Sequence, residues 1–443
     1  MDSLNRRKFL KHTAFAVTTG TLVGSSQQVV KAFNSNRDYQ KDEDFQDWAA
    51  IRSHFLLSPN HIHLAGMLLA SHPAPVRQAL ERHRKGLDEN PVNYMVKHKK
   101  QLEDAVYKAA ANYLKTDSEQ IALTDSTTMG LGLVYGSLVL REGQEILTTE
   151  HDHYSTHESL RFRASQSNNP LKKIPLYDSP ENASDDEIIN NLKRAITPKT
   201  RVVAVTWVHS GTGVKLPIPA MSKVIAQINA NRAPDDRAIF CVDGVHGFGI
   251  EDVVVDDLGC DFFIAGCHKW LFGPRGTGII WGSPQGWQVV LPIIPPFSRQ
   301  PYSAWLKNEI PENVPPGLMM TPGGFHSFEH RWAVAQAFEY HQKIGKARVQ
   351  KRIHSLNRYC KEGLKSMKHV QLRTPLSEKL SSGIICFEID GLAPQEVVKR
   401  LREKNIFISQ SPYAKSYIRI TPSLFNSYED IDKVLMEIVD LTA

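Results

Sequence analysis

Two periods of apolar residues alternate along the middle of the chain. Apolar positions three and four apart predict helices over Val76–Gly86, Lys99–Lys115, Thr156–Arg163, Asp185–Ala195 and Ile218–Ile228. Between them, short β-branched runs predict strands at Gln120–Leu123, Glu145–Thr148, Arg201–Trp207, Ala238–Val242, Asp261–Ala265 and Gly278–Trp281. Such alternation indicates an α/β domain with a mostly parallel sheet, over residues 71–310. A Pro-rich stretch from Pro292 to Pro316 marks a boundary or a long surface loop. Beyond it the pattern predicts helices near Ser327–Ile344 and Ala347–Met367, a strand at Gly383–Ile389 and a helix at Pro394–Lys404. Strands near Ile406–Ser409 and Tyr417–Ile420 and a last helix, Ser427–Leu441, complete a smaller α+β C-terminal domain, residues 311–443.

Composition narrows the function classes. The 443 residues suffice for one or two cores, and 41% hydrophobic with 23% charged residues excludes a disordered or fibrous chain. The net charge is +6, but residues 1–38 hold six basic side chains against two acidic ones, so most of the excess sits there. The remainder carries no electrostatic footprint for nucleic acid. The short run Lys97-His98-Lys99-Lys100 reads as a solvated helix face. Five scattered cysteines (Cys241, Cys260, Cys267, Cys360, Cys386) give neither a disulfide framework nor metal spacing, and no metal is expected.

Residues 1–35 read as an address. Arg6-Arg7-Lys8-Phe9-Leu10-Lys11 precedes a weakly apolar stretch from Thr13 to about Val30, too polar for a stable membrane span. It resembles the bacterial twin-arginine signal, which implies the twin-arginine translocation machinery as a partner and a periplasmic or extracytoplasmic location. No Ala-x-Ala cleavage site follows it.

Candidate chemistry concentrates between Cys241 and Gly278. One strand delivers Asp243-Gly244-Val245-His246 at its carboxyl end, where open α/β sheets place ligands. The next delivers Gly266-Cys267-His268-Lys269-Trp270, and Gly273-Pro274-Arg275-Gly276-Thr277-Gly278 turns into a third. An Asp and a Lys at successive strand ends suit pyridoxal phosphate: the carboxylate keeps a pyridine nitrogen protonated, and the amine forms an imine and moves protons at Cα. Upstream, Asp125-Ser126-Thr127-Thr128 closes a strand and opens a helix whose free amides and hydroxyls make a phosphate site; it is not a Walker loop. Glu150-His151-Asp152-His153-Tyr154 follows another strand, and Trp207-Val208-His209-Ser210-Gly211 another.

Asp-Gly-x-His, Gly-x-His-Lys-Trp and Gly-Pro-x-Gly-x-Gly together resemble the class V aminotransferases of the fold-type I pyridoxal-phosphate enzymes, most nearly the isopenicillin N epimerase-like branch. The resemblance spans about residues 50–440. It implies a large α/β domain with a mostly parallel sheet and a small C-terminal domain joined by residues 36–70. It also implies a homodimer and an amino-acid substrate. Lys269 becomes the Schiff-base lysine and Asp243 the partner of the ring nitrogen. His246 lies near the ring hydroxyl, and His268, Ser126, Thr127 and Thr128 near the phosphate. Thr277 belongs to a turn that reaches a partner's cofactor. His153 stacks on the ring, with His151 and Tyr154 as alternatives, and Ser210 or His209 contacts ring or substrate. Arg419, in Tyr417-Ile418-Arg419-Ile420-Thr421-Pro422, binds the α-carboxylate.

The expected reaction is epimerisation or transamination at Cα, with a lyase or desulfurase as the alternative. Desulfurases need a thiolate on a loop before that arginine, and Asn405–Tyr417 contains no Cys. A ligand-binding protein without turnover is the reading outside enzymes.

Overall fold

The computed structural model describes residues 45–441, so the expected twin-arginine segment lies outside the described residues. These begin with α1 (Trp48–Ser53), β1 (Ile62–His63), α2 (Ala74–Glu89) and α3 (Pro91–Leu114). Strands and helices then alternate: β2 (Ile121–Thr124), α4 (Thr127–Ser137), β3 (Glu145–Thr149), α5 (Tyr154–Ser167), β4 (Leu171–Ile174), α6 (Asp185–Ala195), β5 (Thr200–Thr206), α7 (Ile218–Asn229), β6 (Ile239–Asp243), β7 (Phe262–Gly266) and β8 (Gly278–Gly282).

Strands β2 to β8 form one seven-stranded sheet in the order β2-β8-β7-β6-β5-β3-β4. β3 to β7 run parallel, and β8 is antiparallel to both its neighbours. Successive side chains of a strand point to opposite faces. Accordingly Val203, Val205, Phe240 and Val242 enter one core, with α3, α6 and α7. Val202, Ala204, Ile239 and Cys241 enter the other, with α4 and α5. Helices on both faces bury the central strands completely, which is why they read as continuous apolar runs. The edge strand β4 departs from that pattern. Its Lys172 and Lys173 hide it from an apolar count, and lysines are how exposed sheet edges resist further pairing.

The second half holds α8 (Pro284–Trp287), α9 (Arg299–Leu306), α10 (Pro316–Met320), α11 (Phe328–Trp332), α12 (Val334–Ile344), α13 (Lys346–Ser366), β9 (Val370–Leu372), β10 (Ile385–Ile389), α14 (Pro394–Glu403), β11 (Ile406–Phe407), β12 (Ser409–Gln410), β13 (Ile418–Ile420) and α15 (Tyr428–Asp440). The Pro-rich stretch therefore contains a helix. The single helix expected over 327–344 is two, divided at Ala333, and both pack on α2 and α3 rather than on the C-terminal sheet. That sheet is antiparallel, in the order β12-β13-β10-β9, over a third core. β1 pairs in parallel with β11, and Arg52 meets Asp430 at 2.6 Å, so residues 45–70 are fastened to the C-terminal elements.

Candidate active site

Strands β5, β6 and β7 end side by side, at Thr206, Asp243 and Gly266. Their carboxyl ends open on a cavity of about 200 Å³. Ten residues singled out in the sequence line it: Ser126, Thr127, Thr128, His153, Ser210, Asp243, His246, His268, Lys269 and Arg419. Thr277 does not. Its hydroxyl donates to the Pro274 carbonyl and its own carbonyl accepts from Cys267 N–H at 2.9 Å, so it holds the turn closed rather than facing the cavity. Thr206, Ser155, Val245, Met67, Leu68 and Pro412 complete the wall. Sequence reasoning missed these. Thr206 had a signal, as the last residue of a strand beside Asp243, whereas Met67 and Leu68 arrive from a turn with no chemical signature.

At the centre, Lys269 Nζ lies 3.3 Å from His246 Nε2. Trp270 Nε1–H donates to His246 Nδ1, so the proton of the neutral ring sits on Nε2. Burial, reinforced by the Lys269 charge, drives His246 well below its ordinary range and keeps it neutral. Its Nε2–H then favours Lys269 as a free amine, a hydrogen-bond acceptor. Burial also lowers Lys269, against the pull of Asp243, and Arg419 lowers it further. Asp243 is raised by burial, opposed by the Val245 N–H at 3.1 Å and by the Lys269 cation. Two buried titratable groups are thus brought toward neutral pH from opposite sides, as at sites of proton transfer.

One end of the cavity suits a phosphate. Ser126 caps α4 by accepting from Met129 N–H at 3.1 Å, and the first amides of that helix point outward. Thr127 Oγ1 and His268 Nδ1 are buried without a partner among the described residues. Gly266 makes their approach possible, because a Cβ there would stand 2.9 Å from His268 Cε1 and 3.0 Å from Thr127 Oγ1. Orphaned donors at a helix N-terminus, a carboxylate held beside a lysine, and a cavity joining them fit a phosphorylated pyridine aldehyde.

The other end carries an unsatisfied cation. Arg419 is 1% exposed and forms no ion pair among the described residues. Its Nε donates to Ser409 Oγ at 3.1 Å and Nη1 to the Ser210 carbonyl at 2.8 Å, which leaves Nη2 without a protein partner among the described residues. A buried guanidinium lacking an anion is costly unless a ligand supplies one.

His153 caps α5, its Nδ1 accepting from Ser155 N–H at 3.2 Å, and burial lowers its pKa. His151 instead stacks on Tyr177 at 3.9 Å, and Tyr154 is 71% exposed. His209 lies behind Ser210, bonded to Tyr177 Oη at 2.9 Å. Ser210 Oγ meets Tyr413 Oη at 2.7 Å. All five cysteines are free and buried. Cys386 pairs across the sheet with Arg419, and burial pushes its thiol up to about 12. Among the described residues no cluster could hold a metal ion, and no helix is long and apolar enough to cross a membrane.

The aminotransferase class-V family model matches residues 70–434. A probable cysteine desulfurase of Vibrio cholerae is 22% identical over 72% of this chain and 78% of the relative. A cysteine desulfurase of Klebsiella pneumoniae is 24% identical over 75% and 80%. Among solved structures, a C-DES variant with glycine linked covalently to its pyridoxal-phosphate cofactor superposes with a TM-score of 0.80, at 21% identity, over 88% of this chain and 99% of that one. The cystine C–S lyase C-DES with its product cysteine persulfide gives 0.78 at 20% identity, over 86% and 98%. These likenesses establish the fold. They favour the lyase or desulfurase alternative over the epimerase-like expectation.

Proposed function

Because this chain belongs to the aminotransferase class-V family and uses pyridoxal phosphate, we propose that it is a lyase that eliminates a sulfur substituent from Cβ of an amino acid, without storing sulfur on a protein thiol. The observation that carries this reading is the state of the thiols. Burial holds Cys360 and Cys386 up at about 12, and the loop before Arg419 offers Ser409, Ser411 and Tyr413 instead of Cys. A hydroxyl cannot accept sulfur as a persulfide, and a buried neutral thiol is a poor nucleophile. Likeness to a cystine C–S lyase supports elimination, with the persulfide leaving as product.

Thr127, Thr128, His268 and the α4 N-terminus would hold the phosphate, Asp243 the ring nitrogen and Lys269 the aldehyde carbon. When bound, pyridoxal phosphate supplies the electron sink that acidifies the Cα hydrogen. Arg419 fixes the α-carboxylate and so orients Cα toward Lys269. Lys269 Nζ, kept as a free amine by His246, takes the Cα proton and returns a proton to the departing sulfur. Overall, a β-substituted amino acid and water give pyruvate, ammonium and the protonated leaving group.

Holoenzyme in deuterated buffer should convert L-cystine to pyruvate, ammonium and free cysteine persulfide, with no mass added to the protein. Inversion at Cα without pyruvate would replace this reading by an epimerase. A persulfide on Cys386 or Cys360 would replace it by a desulfurase. Assembly as a homodimer is part of the proposal, supported by the exposed apolar side chains Leu291, Phe297, Trp305 and Phe325. So is twin-arginine export, supported by the Arg6-Arg7 pair.

A further inference from the structure

A second cavity, of about 630 Å³, adjoins the first. The two share His153 and Pro412 as walls, and Tyr413 stands between them. The Tyr413 hydroxyl reaches Ser210 Oγ of the inner cavity, whereas its ring lines the outer one and meets the His153 ring edge-on at 6.3 Å. Gly211 lets that ring lie close, since a Cβ there would stand 3.0 Å from two of its carbons. The inner cavity already holds the groups suited to cofactor and α-carboxylate, and the outer cavity offers a long side chain room beyond Pro412 and Tyr413.

The outer cavity offers charges of both signs. Glu158 and Glu181 are taken by Arg161 and Arg373, at 2.6 and 2.7 Å. Lys173, Lys415, Glu150 and Asp178 line the same space, and none of them has an ion-pair partner among the described residues. Lys415 shares a loop with Tyr413, its ammonium 5.3 Å from the Tyr417 ring.

We propose that the outer cavity is a subsite for the distal end of the substrate, reached past Tyr413, and that it selects amino acids whose side chain ends in a second ammonium and carboxylate. The inference rests on the reading above of the inner cavity as the reacting centre with Arg419 as carboxylate anchor. Lys173 and Lys415 meet the distal carboxylate, and Glu150 and Asp178 the distal ammonium. Short neutral amino acids occupy the inner cavity alone.

The probe is the dicarba analogue of L-cystine, which has methylenes for sulfurs and cannot eliminate. Its comparison is the L-amino acid of equal chain length without the distal charges. Calorimetric titration of the holoenzyme should show the dicarba analogue binding tighter by about tenfold, as for several rim charge pairs acting together. The Lys173→Ala/Lys415→Ala double variant should lose about fivefold of that preference, leaving the uncharged analogue unchanged within about twofold. Equal affinities in the wild type, or a preference intact in the double variant, would overturn the subsite. Pyruvate release from β-chloro-L-alanine, measured on the same preparations, tests the reaction separately. Its absence with the preference intact sinks the elimination reading and not the subsite.

Discussion

At Lys269 three neighbours set the state of one amine. His246 donates to it, Asp243 balances it, and Arg419 adds a second positive charge close by. Asp243 itself can do one job only as a carboxylate, because a neutral amide cannot keep a pyridine nitrogen protonated. Asp243→Asn should therefore retain pyridoxal phosphate and its visible absorbance while losing at least about a hundredfold in turnover, the range for a positioned acid or base. Near-normal rates would assign the carboxylate a different task. The motifs made Lys269 and Asp243 legible because residue type, strand-end position and spacing all agreed. Thr277 is bonded within its own turn, and the resemblance assigns that turn to a partner's cofactor rather than to this chain's cavity.

At the scale of elements, helices were readable where local and tertiary preferences coincide. α6 follows its expected bounds, with Ser184 as cap, three acids in its first turn and two basic residues in its last. The strand β4 and the helix α9 were hidden, the first by its edge lysines and the second inside a stretch read as loop. No pattern revealed how the sheet domain and the C-terminal elements are joined, because that depends on a buried charge cluster drawn from distant segments. Glu251 accepts from Lys215 at 2.8 Å, from Ser382 at 2.6 Å and from His354 of α13 at 2.8 Å. Though burial alone would raise the carboxyl, these partners hold it below its ordinary 4.5. A depressed folded value means that the contribution is present above 4.5 and lost as pH falls through the lower folded value. Glu251→Gln should cost about 3 kcal/mol at neutral pH, the scale for breaking a buried pair. In urea unfolding the gap from wild type should narrow under acid; a gap that does not change with pH would mean the cluster acts by packing alone.

Over the whole molecule, acid should act through buried histidines. His209 and His341 are fully buried, and burial lowers both from 6.5 to about 3. Between those values the unfolded chain binds protons that the folded one refuses, so stability declines as pH falls below 6.5. Each should remove about 1.4 kcal/mol per pH unit in that window. His341→Phe should relieve its share, read as a smaller fall of the urea midpoint at successive pH units. An identical pH slope would mean that the ring is protonated in the folded state.

The fastening of residues 45–70 to the far end of the chain also orders events in time. Thr421 Oγ1 bonds to the Leu64 carbonyl across a separation of 357 positions, and Met67 and Leu68, which wall the inner cavity, follow directly. During synthesis Ile62, His63 and Leu64 lack these backbone partners until the last elements leave the ribosome. The strands bearing Asp243 and Lys269 emerge much sooner, so a nascent chain passes through a stage in which the lysine and the phosphate end are present but one wall and Arg419 are not. That half-open stage gives the cofactor its widest entrance. Arrest of translation before residue 419, followed by borohydride trapping, should already label Lys269.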